Sequence, residues 1–382
     1  MKEQFCIAAR SLAIGLLLFF TMPTLSHADS DTLPGLSLVW SKNVGGLKSF
    51  SLSPHARRLA LLTFEGKLAL WTAQEGIPVW ATGKQTATRV LVSDGNGYVL
   101  TYNVRSLISG QAVMRRADTG QIVWSKNFGT SLWCAAFNQN GTYTAIGTGD
   151  NSLYLYNLAQ NNAETKVALA GTPVSAGFAL DGKSVLVGQW DRSGISCLDL
   201  AGQTMWRASG AMNRQYTLDS IGPRFITYTG SSNRRGLSPI IYVLHGATGT
   251  LLWAYYLDTT AFDSSAMTNG TAGLTAISFE KPTKVSSQSM NEQKLAVIDR
   301  SGQLIWTKGG LFWAPTLICL TPDQAGMVVY DGNRTLYRLD SQGRTVAHAY
   351  LSDVLRQWNV SLDDTSLVVY THDGQLSLLH IQ

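Results

Sequence analysis

A glycine four residues ahead of a tryptophan recurs along this chain, and that pairing restricts the folds open to it. It stands at residues 118–124 (DTGQIVW), 199–206 (DLAGQTMW), 246–253 (GATGTLLW) and 299–306 (DRSGQLIW), with a looser copy at 73–80 (AQEGIPVW). A worn copy at 340–347 (DSQGRTVA) keeps the glycine and has Ala347 where the tryptophan would be. The pairs are therefore Gly76 and Trp80, Gly120 and Trp124, Gly202 and Trp206, Gly249 and Trp253, and Gly302 and Trp306. Each copy reads as a hairpin: one strand ends, glycine supplies the positive φ of a tight turn, and the next strand ends in an indole. A buried indole fills a gap between packed sheets and needs a partner for its N–H, so the repeat predicts docking between neighbouring units.

Spacing decides what the units build. The turn glycines 76, 120, 202, 249, 302 and 343 lie 44, 82, 47, 53 and 41 residues apart, and the 82 is two periods with a degenerate copy expected at residues 157–167. A period of roughly 40 to 50 residues holding several short strands marks a β-propeller blade. Blades are expected to begin near Leu47, Thr88, Ser131, Pro173, Arg214, Phe262, Ala314 and Gln357. The fold class expected is all-β: an eight-bladed β-propeller of four-stranded antiparallel blades. The last unit supplies three strands, at 358–362, 367–371 and 376–381, while residues 36–40 form an orphan strand ending in Trp40. Pairing that N-terminal strand with the last blade would close the ring and remove two sheet edges at once.

Residues 1–28 read as a secretory signal, with Lys2 and Arg10 before an apolar run at 12–22 and small residues Ser26 and Ala28 at the cleavage site. The run is too short to anchor in a bilayer. Residues 29–35 are then a short linker and 36–382 a single propeller domain. The chain is expected to be exported, periplasmic or secreted after cleavage near Ala28, with no integral membrane segment in the mature form. Its net charge of +5 is too weak and too scattered to indicate nucleic acid. The pairs Arg57-Arg58, Arg115-Arg116 and Arg234-Arg235 read as solvated loop or strand-edge charges. Cys134, Cys197 and Cys319 each sit in an apolar strand-like run, which fits buried unpaired thiols better than a disulfide.

These glycine–tryptophan copies resemble the docking repeat of PQQ-like eight-bladed propellers, and segments such as 53–60 (SPHARRLA) and 149–156 (GDNSLYLY) are similar to WD40-type blades. The resemblance covers nearly all of residues 36–382. It reaches two branches: quinoprotein dehydrogenases and non-catalytic envelope propellers, closest in style to that of the outer-membrane β-barrel assembly machinery. The dehydrogenase branch implies a vicinal Cys-Cys pair, which this sequence lacks, and long insertions, which are absent too. No nucleophile elbow, zinc-protease helix, phosphate-cradling loop or calcium loop occurs. No catalytic residue, cofactor or metal is therefore assigned.

Two polar segments break the period: 229–238, with Asn233, Arg234 and Arg235, and 279–293, with Lys281, Lys284 and Glu292. Both fall between the second and third strands of adjacent blades, so they are expected on one rim as partner-binding loops. The function expected is a non-enzymatic exported scaffold, a monomer, that contacts a protein in the cell envelope. The alternative is a ligand-binding or enzymatic propeller, quinone- or carbohydrate-related, that uses the axial channel.

Overall fold

The structure, a computed structural model, describes residues 35–95, 97–104, 109–212, 214–221, 225–231, 240–257, 264–268, 274–285, 288–309, 316–321 and 326–382. They form eight four-stranded antiparallel sheets, each an up-and-down meander in chain order except the last. Blade one consists of Leu47–Leu52, Arg58–Thr63, Lys67–Thr72 and Ile77–Lys84. The next six blades begin at Arg89, Leu132, Pro173, Gln215, Ser264 and Thr316, each within two residues of its expected start.

Blade eight is assembled from both ends of the propeller. Leu355–Val360, Ser366–Thr371 and Gln375–Ile381 are joined by Leu36–Asn43, which runs antiparallel from Leu36↔Ile381 to Asn43↔Gln375. Gln382 N–H donates to the Gly35 carbonyl at 3.1 Å, so the two ends of the propeller meet where other blades have a turn. The closing strand is three residues longer than the sequence indicated.

Burial follows position within the blade. Second and third strands such as Ser184–Gln189 (SVLVGQ) are buried throughout because a neighbouring blade covers each face, which explains their unbroken apolar runs. Outer strands such as Ile77–Lys84 stay largely exposed. The core is eight apolar layers, one at each junction between consecutive blades. The eight–one layer packs Val368, Tyr370 and Leu378 against Leu47 and Leu61, so the ring is closed by burial as well as by strand pairing.

The inner strands carry a repeated irregularity. In blades one, three, four and eight the register shifts across the second residue, which is Lys48, Trp133, Val174 and Arg356 respectively. A bulge of this kind leaves one residue unpaired and re-aims its side chain.

Candidate binding site

The repeat residues pin the blades together. Trp80 Nε1 donates to the Ala117 carbonyl of blade two at 2.7 Å, and a Cβ on Gly120 would stand 3.1 Å from Trp80 Cδ2. Trp40 meets Gly76 in the same way and donates to Ala73 O at 2.8 Å, while Trp306 covers Gly343 and donates to Ser341 O at 2.8 Å. Trp253 lies over Gly302, and Trp206 presses directly on Gly249. All six turn glycines have positive φ, so each is needed both for its backbone and for the space above it.

The irregular junctions are equally informative. Blade three has no turn glycine; Asn161 and Asn162 take the positive φ there, and Trp124 of blade two stacks on Tyr156 with centroids 4.9 Å apart. Val167 of blade three replaces the missing indole over Gly202. At blade seven, where the repeat has Ala347, the Arg338 side chain covers Gly35 ahead of the closing strand: a Cβ on Gly35 would stand 2.6 Å from Arg338 Cδ.

Asp199, Asp299 and Asp340 hold the turns from within, their carboxylates accepting backbone N–H bonds from Gln203, Gln303 and Arg344. Hydrogen bonds from Ser301 and Arg344 hold Asp299 and Asp340 respectively below the usual carboxylate range. Arg115 corrects the reading of its pair as solvated. It is buried, with Nη1 on the Gly120 carbonyl and Nη2 on Gln85 Oε1, and burial lowers its pKa. The three cysteines are free and buried, and burial pushes the Cys134 thiol up to about 12. Among the described residues no three His, Cys, Asp or Glu side chains gather as a metal site, and no helix is long and apolar enough to cross a membrane.

Connections between second and third strands share a face with the segments entering the inner strands. Phe64 N–H bonds Gly46 O, Gly149 N–H bonds Ser131 O, Trp190 N–H bonds Thr172 O and His372 N–H bonds Val354 O, at 2.8–3.0 Å. Asn233, Arg234 and Arg235 lie outside the described residues. Lys281, Lys284 and Glu292 do not sit in a loop, which corrects the expectation: Thr275–Val285 and Gln288–Ile298 make one continuous hairpin, with Lys281 opposite Glu292 and Lys284 opposite Ser289. Alternation of polar and apolar residues is weak there, so the sequence read as a loop where backbone pairing carries the strand on.

The same face opens on the axis. A cavity of about 310 Å³ is lined by the inner strands of blades eight, one and two, including Phe50, Arg89, Arg356 and Trp358. The sequence reading missed these residues; the one signal available was a cation at the first or second position of three inner strands, KSFSL, RVLV and LRQWNV. A second cavity, of about 320 Å³, lies between blades four and five beside Trp206, Cys197 and Gly246. In the inner strand of blade five, burial raises the Asp219 carboxyl to about 8 despite a bond donated by the Thr229 hydroxyl.

No family model and no curated protein matches the chain. Solved structures do. BamB from Moraxella catarrhalis superposes with a TM-score of 0.60 at 17% identity, covering 91% of this chain and 100% of that one. The Dos1 propeller gives 0.65 at 13% identity over 92% and 96%, and Kuenenia stuttgartiensis hydrazine synthase 0.55 at 10% over 94% and 99%. At these identities the likeness is one of fold.

Proposed function

We propose that this chain is a non-enzymatic, exported propeller scaffold of the cell envelope that binds a protein. One observation carries the reading. In blade six the flanking strands pair only as far as Ser264↔Phe279 and Lys294↔Gly309, yet the central hairpin continues for six further pairs, from Glu280↔Gln293 to Val285↔Gln288. The result is a two-stranded ribbon about 20 Å long, with both edges unpaired among the described residues. A free strand edge is a template for another chain, and Pro282 restricts self-pairing on one side. The fold likeness to BamB and the signal-like residues 1–28 support the envelope setting.

The test is to join Phe279 to Lys294 through a two-residue turn and to cross-link the variant in its native cell. The expected result is an unchanged melt with the partner's cross-link gone; a partner captured as before removes the reading. Mass spectrometry of the purified protein is expected to find Asp29 at the mature N-terminus, and retention of residues 1–28 removes its exported part.

A further inference from the structure

We propose that the axial mouth between blades eight, one and two is a receptor for the carboxylate side chains of an acidic peptide segment. This rests on the protein-scaffold reading, since it names the chemistry of the partner. Arg89 and Arg356 both line the cavity and are exposed, and Lys48 opens the neighbouring inner strand, its Nζ donating to the Ala87 carbonyl at 3.1 Å. None of the three makes an ion pair among the described residues. The acids nearby in sequence on this face are already engaged: Asp353 with Arg334 at 3.1 Å, Glu65 with Lys67 at 3.2 Å, and Asp373 with the Thr371 hydroxyl. Arg89 and Arg356 thus line this mouth with Lys48 beside them, none of the three ion-paired among the described residues, an arrangement that attracts and orients an anion.

Their geometry selects the anion. Arg356 sits at a bulge, and its Cζ lies 4.9 Å from the centre of the Phe64 ring, which holds the guanidinium before any ligand arrives. Arg89 spends one donor on the Thr88 carbonyl at 3.2 Å and keeps the others. Such a fork suits a carboxylate in bidentate contact. Trp358 and Phe64, 37% and 52% exposed, supply apolar surface beside the charges. About 310 Å³ admits a few side chains rather than a folded domain. Three cations are too few for the stripe that nucleic acid requires. An extended segment with acidic residues beside an apolar one meets each feature.

The experiment uses the mature full-length propeller and a fluorescein-labelled ten-residue peptide alternating Glu with Leu, read by anisotropy beside its Glu-to-Gln counterpart. The acidic peptide is expected to bind at least about tenfold tighter than the amide one, and to weaken as salt rises from roughly 50 to 300 mM. Arg89→Ala and Arg356→Ala are each expected to weaken it by about tenfold, with Arg89→Lys and Arg356→Lys intermediate because charge is kept and the fork is lost. Equal binding of the two peptides, or parental affinity in both alanine variants with an unchanged melt, overturns the proposal. So does displacement by oligothymidylate or pyrophosphate as effective as by unlabelled peptide. The ribbon-shortened chain is expected to bind the peptide normally. Failure of the ribbon test therefore leaves this result standing, whereas insensitivity to the arginines overturns this inference alone.

Discussion

The junction between blades one and two and the junction between blades four and five carry the same glycine–tryptophan motif, and they are not equally well made. Their turns match: Gly120 N–H bonds Arg116 O and Gly249 N–H bonds His245 O, both at 2.9 Å. Trp80 finds the Ala117 carbonyl and lies over Gly120 at van der Waals distance. Trp206 packs more tightly onto Gly249 through Cε3, its buried Nε1 has no hydrogen-bond partner among the described residues, and a cavity of about 320 Å³ remains beside it. At the first junction Arg115 adds a second clamp on the glycine carbonyl. Blade five has Leu244 at the equivalent distance before its glycine. At these two junctions the motif supplies both the knob and the socket, while the neighbouring turn decides whether the indole N–H is satisfied. A buried donor left unpaired costs about 1–3 kcal/mol, enough to separate two junctions of identical pattern.

The largest effect is expected at the closing junction. Deleting Leu36–Asn43 removes an eight-residue strand with seven cross-strand pairs and the Trp40 pin together, and should abolish the cooperative melt seen by circular dichroism. A deletion variant melting like the parent would show that strand closure is dispensable. Next, Trp80→Ala should cost about 3–4 kcal/mol in urea unfolding and Trp206→Ala roughly half of that, because the second indole gives up no hydrogen bond. Equal losses break the comparison. Adding a methyl sharpens it from the other side: Gly249→Ala and Gly120→Ala should each cost roughly 1–3 kcal/mol, with the greater loss at Gly249, where the ring is nearer.

Blade five also carries a pH signature. The folded pKa of Asp219, about 8, is above the unfolded value near 3.9, so its contribution is complete below about pH 4 and is lost as pH rises through 8. Asp219→Asn should flatten that decline between about pH 4 and 8 in melts taken at several pH values; a parallel curve would place the decline elsewhere. The smallest effect belongs to Asp340, whose folded pKa is depressed by the Arg344 N–H. Its contribution is present above about pH 4 and lost as pH falls, so Asp340→Ala should differ from the parent least in strong acid.

Much of the ring was legible because periodicity and turn chemistry are local. Asn-Gly and Asp-Gly corners, buried middle strands and the orphan strand that carries Trp40 all follow from nearby residues. The candidate site was less so. The segment at 279–293 lacks the two-residue alternation that marks a half-buried strand, so its pairing into a ribbon was hidden. Arg89 and Arg356 stand 267 positions apart and meet only because the ring closes.

The sequence by itself determined the number of blades, the place of the docking indoles and the need for the chain's two ends to pair, since each depends on short-range pattern repeated at a fixed period. Only the tertiary structure decided which indole N–H groups find a carbonyl, which inner-strand side chains a bulge turns toward the axis, and how far the blade-six ribbon projects. Those outcomes depend on shifts of an ångström or less between segments distant in sequence, and no local pattern encodes them.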